Sequence, residues 1–120
     1  MNAANMLQSI KSHPDYHRAG MVLCHNGVVR ATSRDGRNVS GLRVAVDHDR
    51  LEAIIHRARQ TPGIVDVQVE IAEDRNLSVG DDVMVLIVAG DIRENVLRTL
   101  EKTLNDIKTT VTSKTEYFVD

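Results

Sequence analysis

Residues 91–116 constrain the fold most, because an amphipathic helix is followed there without a break by a short polar strand. Asp91 and Glu94 have the spacing of a helix start, in which side-chain oxygens satisfy free backbone amides. Apolar residues then recur at three- and four-residue steps and fall on one narrow arc at ~100° per residue, which we expect to face the core. They are Val96, Leu97, Leu100, Leu104 and Ile107.

Two cations, Arg93 and Lys108, fall inside this apolar arc. They could extend to water with their stems packed, or each could line an anion-binding recess. Fifteen residues at about 1.5 Å each separate them by roughly 22 Å, which is too far for both to hold one small ligand within one chain. If they share a site, a second subunit must complete it.

The rest of the chain predicts strands and two further helices. Residues 64–73 alternate, with Val65, Val67, Val69 and Ile71 on one side, which is typical of a half-exposed strand. We predict a short helix before Pro14, a helix capped by Asp47 or Asp49, and a buried strand over 20–30 with a bulge or a close backbone approach at Gly27. Further strands are predicted over 39–47, 64–73, 83–89 and 109–119. The strand over 83–89 is apolar on both faces, as in the centre of a sheet.

This order, β-β-α-β-β-α-β, predicts an α+β fold in which two main helices cover a mostly antiparallel sheet. With 120 residues, 42% of them apolar, the chain is long enough for one core and too short for two. We expect a single domain over residues 20–120, preceded by an N-terminal helical or extended segment over residues 1–19.

Charge and cysteine content exclude several classes of protein. A net charge of −2 without a long basic run argues against nucleic-acid binding. The single Cys24 cannot form an internal disulfide, and no apolar N-terminal segment resembles a signal peptide or a membrane span, so we expect a cytoplasmic protein without a membrane partner. His13 and His17 have metal-ligand spacing, but Pro14 interrupts the helix that they would need, and we expect neither a metal nor a cofactor.

The sequence indicates no functional role for two other groups of polar residues. Arg34 and Arg37 lie in the loop between the first two predicted strands, where solvated surface charge is the better interpretation. Cys24 and His25 project to opposite faces of one strand and are not expected to act together.

Several motifs, taken in order, resemble those of the large, catalytic subunit of molybdopterin synthase. They are Gly27-Val28-Val29-Arg30, a loop ending in Gly36-Arg37 before Val39 and Leu42, the Gly80-Asp81 turn before a buried strand, Arg93 near a helix start, and Ile107-Lys108 followed by Lys114 and Glu116. The resemblance spans about residues 20 to 116. It implies an α/β hammerhead-like fold and a homodimer that binds a small ubiquitin-like sulfur-carrier subunit.

The resemblance also implies an activity and a set of site residues. In that family the partner's C-terminal Gly-Gly thiocarboxylate delivers sulfur to a cyclic pyranopterin monophosphate, forming molybdopterin. Lys108 then matches the catalytic lysine, and Lys114 matches a second catalytic lysine with Glu116 as its acidic companion. Arg30 matches an arginine of the pterin site. Arg93 matches an arginine given by the neighbouring subunit, which a two-fold dimer would bring toward Lys108.

Two other hypotheses stay open. Ile92 stands where the family has a histidine before its arginine, Ala72-Glu73 replaces a His-Arg pair, and residues 111–113 lack a Pro-aromatic-Trp segment. These differences favour a non-catalytic relative that binds a pterin, a phosphate ligand or a protein partner as a homodimer. The other hypothesis is an unrelated dimeric α+β regulatory domain that senses a small anion.

Overall fold

The computed structural model describes residues 1–119, which form three α-helices, one short 3-10 turn and six strands. The helices are α1 (Ala3–Lys11), α2 (His48–Arg59) and α3 (Arg93–Thr110), and the 3-10 turn is Tyr16–Arg18. The strands are β1 (Met21–Val28), β2 (Val39–Val46), β3 (Ile64–Ile71), β4 (Leu77–Ser78), β5 (Asp82–Gly90) and β6 (Thr112–Phe118). Over this described range, no helix has both the length and the apolar character that crossing a bilayer requires.

The predicted α+β architecture with antiparallel pairing is confirmed, and the strands divide into two three-stranded sheets. The first sheet has the order β1-β5-β3 and the second β4-β2-β6, with every pair antiparallel. β5 is the central strand of the first sheet, and its residues from Met84 to Gly90 are buried, as the unbroken apolar run predicts.

Helices cover both faces of the first sheet. Leu86 and Val88 of β5 pack with Ala58 of α2 and Val96 of α3 on one face. Val85, Ile87 and Ala89 pack on the other face with Met6 and Ile10 of α1. A strand covered on both sides must be apolar at every position, and burying one such Leu or Ile side chain contributes about 1.5–3 kcal/mol.

The prediction of which side chains share a face of β3 is wrong at the start of the strand. The register with β5 shifts between Ile64 and Asp66, which marks a bulge. Val65 therefore packs toward α1, while Val67 packs toward α2 and α3. Asp66 is buried instead of facing solvent, and its Oδ1 accepts hydrogen bonds from Arg59 Nε at 3.0 Å and from Val67 N at 2.8 Å.

The predicted start of the long helix is also wrong. The N-cap residue is Ile92, and no side chain caps the helix there. Asp91 lies one position too early, and its Oδ1 instead accepts hydrogen bonds from Ile92 N at 2.7 Å and Asn95 Nδ2 at 2.8 Å. Both hydrogen bonds lower the pKa of Asp91, and the bond from Asn95 has the larger effect.

The buried stripe of α3 differs from the predicted arc at one leucine. Val96 and Ile107 are fully buried, as expected, and Thr99 and Thr103 are buried beside α2. Leu97 is 50% exposed. The stripe is therefore rotated toward α2, because α3 packs against a helix neighbour as well as against the sheet.

The first strand is shorter and less buried than predicted. It ends at Val28, and its residues are partly or fully exposed because β1 is an edge strand of its sheet. The register with β5 shifts between Gly27 and Val28, so the sheet is irregular at Gly27 as predicted, but the residue without a partner is Val83 of β5. At the other end of the chain, Thr109 and Thr110 complete α3, and β6 begins only at Thr112.

Candidate functional site

A recess of about 450 Å³ lies where the two sheets meet, at the C-terminal end of α3. Its floor is apolar and comes from both sheets, and three cations stand around it. This volume is typical of sites for small organic ligands. The lining residues are His25, Gly27, Val28, Arg34, Leu42, Val44, Ile71, Val83, Met84, Lys108, Thr112 and Lys114. A hollow between α2 and α3 measures only about 80 Å³, too small for such a ligand.

Lys108 and Lys114 both line this recess, although one lies on a helix and the other on a strand. Lys108 follows the fully buried Ile107 in the last turn of α3, so the helix end is anchored where the lysine leaves it. Lys114 is opposite Val44 in the β2–β6 pair. Only Val111 separates the two elements, and the chain thus brings both predicted lysines to one site.

Glu116 lies beside Lys114 but outside the recess lining. Lys114 Nζ is 3.7 Å from Glu116 Oε1. The two residues are two positions apart on β6 and therefore share a face of the strand. Glu116 is opposite Leu42, which does line the recess.

Arg30 and Arg93 do not line the recess of this chain. Arg30 is exposed, two residues after the lining residue Val28. Arg93 is the first residue of α3, at the opposite end from Lys108, and its side chain is 79% exposed with Nε 3.5 Å from Glu94 Oε1. Of the two alternatives for Arg93, packing of its stem on the apolar arc is not supported, because the side chain is largely exposed. Its separation from Lys108 along α3 agrees with the prediction that the two cannot share a site within one chain.

Arg34 and His25 line the recess without having been expected there. Arg34 is exposed, as predicted for a loop residue, but the loop carries it back over the sheet. That loop is ordered by a bridge between Thr32 and Asn38 and by the Arg37 guanidinium, which lies 3.6 Å from the centre of the Phe118 ring. The sequence gives no signal for these long-range contacts.

His25 has an unusual environment within the recess. Its Nε2 is buried and has no hydrogen-bond partner in the described part of the chain. Burial lowers the pKa of His25, and the positive charge of Lys108 lowers it further. The imidazole is therefore mainly neutral near pH 7. The sequence contained one indication that His25 lies near Gly27. The two residues are two positions apart on β1 and must therefore share a face of the strand.

The fold and site together define an α+β domain with a recess of ligand size, in which cations surround an apolar floor. The family model of the MoaE protein matches residues 1–110, and the chain belongs to this family. This confirms the predicted relationship and excludes the unrelated regulatory domain. Membership assigns the chain to molybdenum cofactor biosynthesis and, broadly, to enzymes of the molybdopterin synthase type.

Solved structures of the same fold cover the whole chain. Molybdopterin synthase from Staphylococcus aureus is 19% identical with a TM-score of 0.80, and 87% of its chain is covered. The molybdopterin biosynthesis MoaE protein from Burkholderia ambifaria is 20% identical with a TM-score of 0.77 and 83% coverage. A chain in a complex of subunits 1 and 2 of molybdopterin-converting factor from Helicobacter pylori is 18% identical with a TM-score of 0.72, and 85% of it is covered. No curated protein sequence matches the chain.

Proposed function

We propose that this chain transfers sulfur from the thiocarboxylated C terminus of a small ubiquitin-like partner to a cyclic pyranopterin monophosphate. The observation that carries the proposal is the meeting of Lys108 and Lys114 at one recess with an apolar floor. In this proposal the two lysines are the catalytic residues. Arg30, Arg93 and Glu116 belong to the substrate site.

The composition of the recess suits such a substrate. A pterin ring is flat and can lie on the floor formed by Leu42, Val44 and Met84. Its phosphate is anionic and requires cations, which Lys114 and Arg34 supply at the rim. Arg30 is exposed two residues beyond Val28, so its long side chain can reach the mouth of the recess.

Lys108 is the residue best placed to assist the chemical step. Sulfur transfer from an acyl thiocarboxylate develops negative charge on the reacting oxygen and sulfur atoms. An ammonium group at the edge of an apolar recess stabilises such charge more than one in bulk water does. The buried Ile107 fixes the helix end that carries Lys108, so the ammonium group is positioned before the substrate binds.

A homodimer would complete the site. Arg93 is exposed at the far end of α3, and two large apolar residues beside it, Ile92 and Leu97, are 54% and 50% exposed. Leu97 follows Arg93 by one helical turn and shares its face. Apolar side chains exposed next to a cation favour a surface covered by a second subunit, which would bring Arg93 to the neighbour's recess.

A small partner subunit is proposed by analogy. The Helicobacter pylori structure is a complex of subunits 1 and 2 of molybdopterin-converting factor, and one of its chains shares the fold of this chain. A thiocarboxylate at the end of a flexible Gly-Gly tail could enter a recess that opens at the protein surface, as this one does.

A reconstituted transfer assay tests the proposal. The purified chain is mixed with a thiocarboxylated ubiquitin-like carrier and the cyclic pyranopterin, and molybdopterin is measured. We expect product from the wild type and a loss of about 100-fold or more in Lys108→Ala and Lys114→Ala, the scale of removing a group that stabilises transition-state charge. Lys102→Ala is the matched control, because Lys102 lies on the same helix and pairs with Asp106 at 3.2 Å outside the recess. No wild-type product, or full activity in Lys108→Ala, would contradict the proposal.

A second candidate function is ligand binding without turnover. Ile92, beside the exposed Arg93, carries no group that can exchange a proton or bind a phosphate, although the family resemblance places a histidine there. Calorimetry with the cyclic pyranopterin separates the two functions. Binding without sulfur transfer supports this candidate, and absence of any binding excludes both.

A further inference from the structure

His25 lines the recess and carries a buried ring nitrogen that is unsatisfied. A buried ring nitrogen without a hydrogen-bond partner is rare in folded proteins, and where it borders a ligand-sized recess a bound molecule can satisfy it. His25 Nε2 is such an atom, and no described residue of the chain bonds to it. The recess therefore contains one neutral hydrogen-bonding group in addition to its cations.

The position of the imidazole follows from the strand. His25 and Gly27 lie on the same face of β1, opposite Leu86 and Met84 of β5. Gly27 has no side chain, and a Cβ there would stand 3.6 Å from His25 Nε2. His25 and Gly27 both line the recess, so the glycine leaves no side chain between the nitrogen and the recess wall.

The neighbouring charges indicate what this nitrogen can bind. Burial, and to a smaller extent the positive charge of Lys108, disfavours a charged imidazole at His25, so the neutral form is favoured. A neutral imidazole forms one directional hydrogen bond through Nε2 and attracts a phosphate much less than an ammonium group does. A phosphate is better held by Lys114 and Arg34 at the rim, which leaves His25 for an uncharged polar group on the same ligand.

We propose that His25 is a positioning residue that recognises the heterocycle of the substrate. Its Nε2 forms a hydrogen bond with an amide-like group at the edge of the pterin ring, while Lys114 and Arg34 hold the phosphate. This inference rests on the proposed function, because it assumes a pterin-type ligand. His25 then contributes to selection of the ring and leaves phosphate affinity unaffected.

The test compares three substitutions in the full-length chain. His25→Gln places an amide nitrogen or oxygen about where Nε2 lies, His25→Asn places it about where Nδ1 lies, and His25→Phe keeps the ring shape without nitrogen. Each variant is titrated with 6-hydroxymethylpterin, which has no phosphate, and separately with inorganic phosphate. The melting temperature of each variant is recorded, and His56→Phe on the exposed surface of α2 is the matched control.

We expect His25→Phe and His25→Asn to bind the phosphate-free pterin about tenfold more weakly, the scale of one hydrogen bond, and His25→Gln to remain within about threefold of the wild type. Phosphate binding should be unchanged in all three. If His25 had only a structural role, its substitution would weaken the binding of both ligands, and His25→Gln would not restore pterin binding.

Two results would overturn the inference in different ways. If the wild type and His25→Phe bind the pterin equally, the role of His25 is wrong and the proposed function stands. If the wild type binds no pterin, both fail. Should His25→Phe not fold, the Gln and Asn variants still decide the question, because equal losses in both exclude a bond at Nε2.

Discussion

The Lys114 ammonium group lies 3.7 Å from the Glu116 carboxylate, on the same face of β6. Lys114 lines the recess and Glu116 does not, and the side chain of Glu116 is the less exposed of the two, at 23% against 54%. A carboxylate in this position offsets part of the positive charge that Lys114 presents to an anion.

We therefore expect Glu116→Gln to strengthen anion binding. An exposed pair of this kind contributes about 0.2–1 kcal/mol, so the affinity for inorganic pyrophosphate should rise by about 1.4- to fivefold at low ionic strength. The gain should disappear in about 1 M salt, where such charges are screened. Calorimetric titration at both salt concentrations measures it. Weaker binding in Glu116→Gln would instead mean that Glu116 holds Lys114 in its binding position.

Mixed dimers test whether Arg93 serves the neighbouring subunit. A dimer of one Lys108→Ala and one Arg93→Ala subunit has one site with both defects and one intact site, if the arginine crosses the interface. Mixing the two inactive variants should then restore about one quarter of the wild-type transfer activity, because about half of the dimers are mixed and each has one working site. If Arg93 serves its own subunit, both sites carry a defect and mixing restores nothing.

The dimer itself should depend on Leu97. Its side chain is half exposed on the face of α3 that carries Arg93, and replacing it by a carboxylate would remove an apolar contact and require desolvation of a charge on association. We expect Leu97→Glu to sediment as a monomer with a nearly unchanged melting temperature at low protein concentration. Lys102→Glu places a new carboxylate on another side of the same helix and should remain dimeric. A Leu97→Glu protein that stays dimeric would locate the interface elsewhere.

Lys108→Gln should raise the pKa of His25. Burial is the larger cause of the lowered pKa and remains in the variant, so the pKa should stay below its ordinary value of 6.5. NMR titration of the imidazole Cε1 proton measures this. An unchanged pKa would mean that Lys108 lies too far away to act on His25.

The same substitution should change the dependence of stability on pH. Because the folded pKa of His25 is below 6.5, the unfolded chain takes up this proton first as the pH falls. The contribution of His25 to stability is therefore complete above pH 6.5 and decreases as the pH falls through the folded pKa. In Lys108→Gln this decrease should be smaller, as urea unfolding at a series of pH values would show.

Asp47 tests the start of α2. Its Oδ1 accepts a hydrogen bond from Arg50 N at 3.2 Å, as the predicted cap requires. Asp47→Ala should lower the free energy of unfolding by about 1 kcal/mol, whereas Asp47→Asn keeps the acceptor and should change it little. Urea unfolding of both variants measures the difference. Equal losses would mean that the negative charge at the helix start, and not the acceptor, stabilises α2.

Much of the fold could be predicted because its signals are local. The apolar run of β5, the Asp47 cap and the continuous passage from α3 into β6 are all visible in short windows of sequence. The errors occur where a distant contact changes a local pattern. The bulge before Asp66 turns the side chain of Val65 to the opposite face of β3. The packing of α3 against α2 buries Thr99 and leaves Leu97 exposed.

The candidate site was accessible to sequence reasoning only in part. Lys108 and Lys114 are close in the chain, and the element order already brings them together. His25 and Arg34 reach the recess through strand pairing and loop folding, which periodicity does not encode. Arg93 lies where the pattern places it, at the far end of the helix, and its proposed role depends on a second chain.

The single residue between α3 and β6 has a consequence for how this chain can change during evolution or engineering. One residue inserted or deleted at Val111 would turn Lys114 to the opposite surface of its strand, since side chains alternate there, while Lys108 stayed in place. The two amines would then no longer share an opening. Length variation is therefore least tolerable at this junction, whereas turns remote from the recess, such as residues 60–63, have more freedom to accept it.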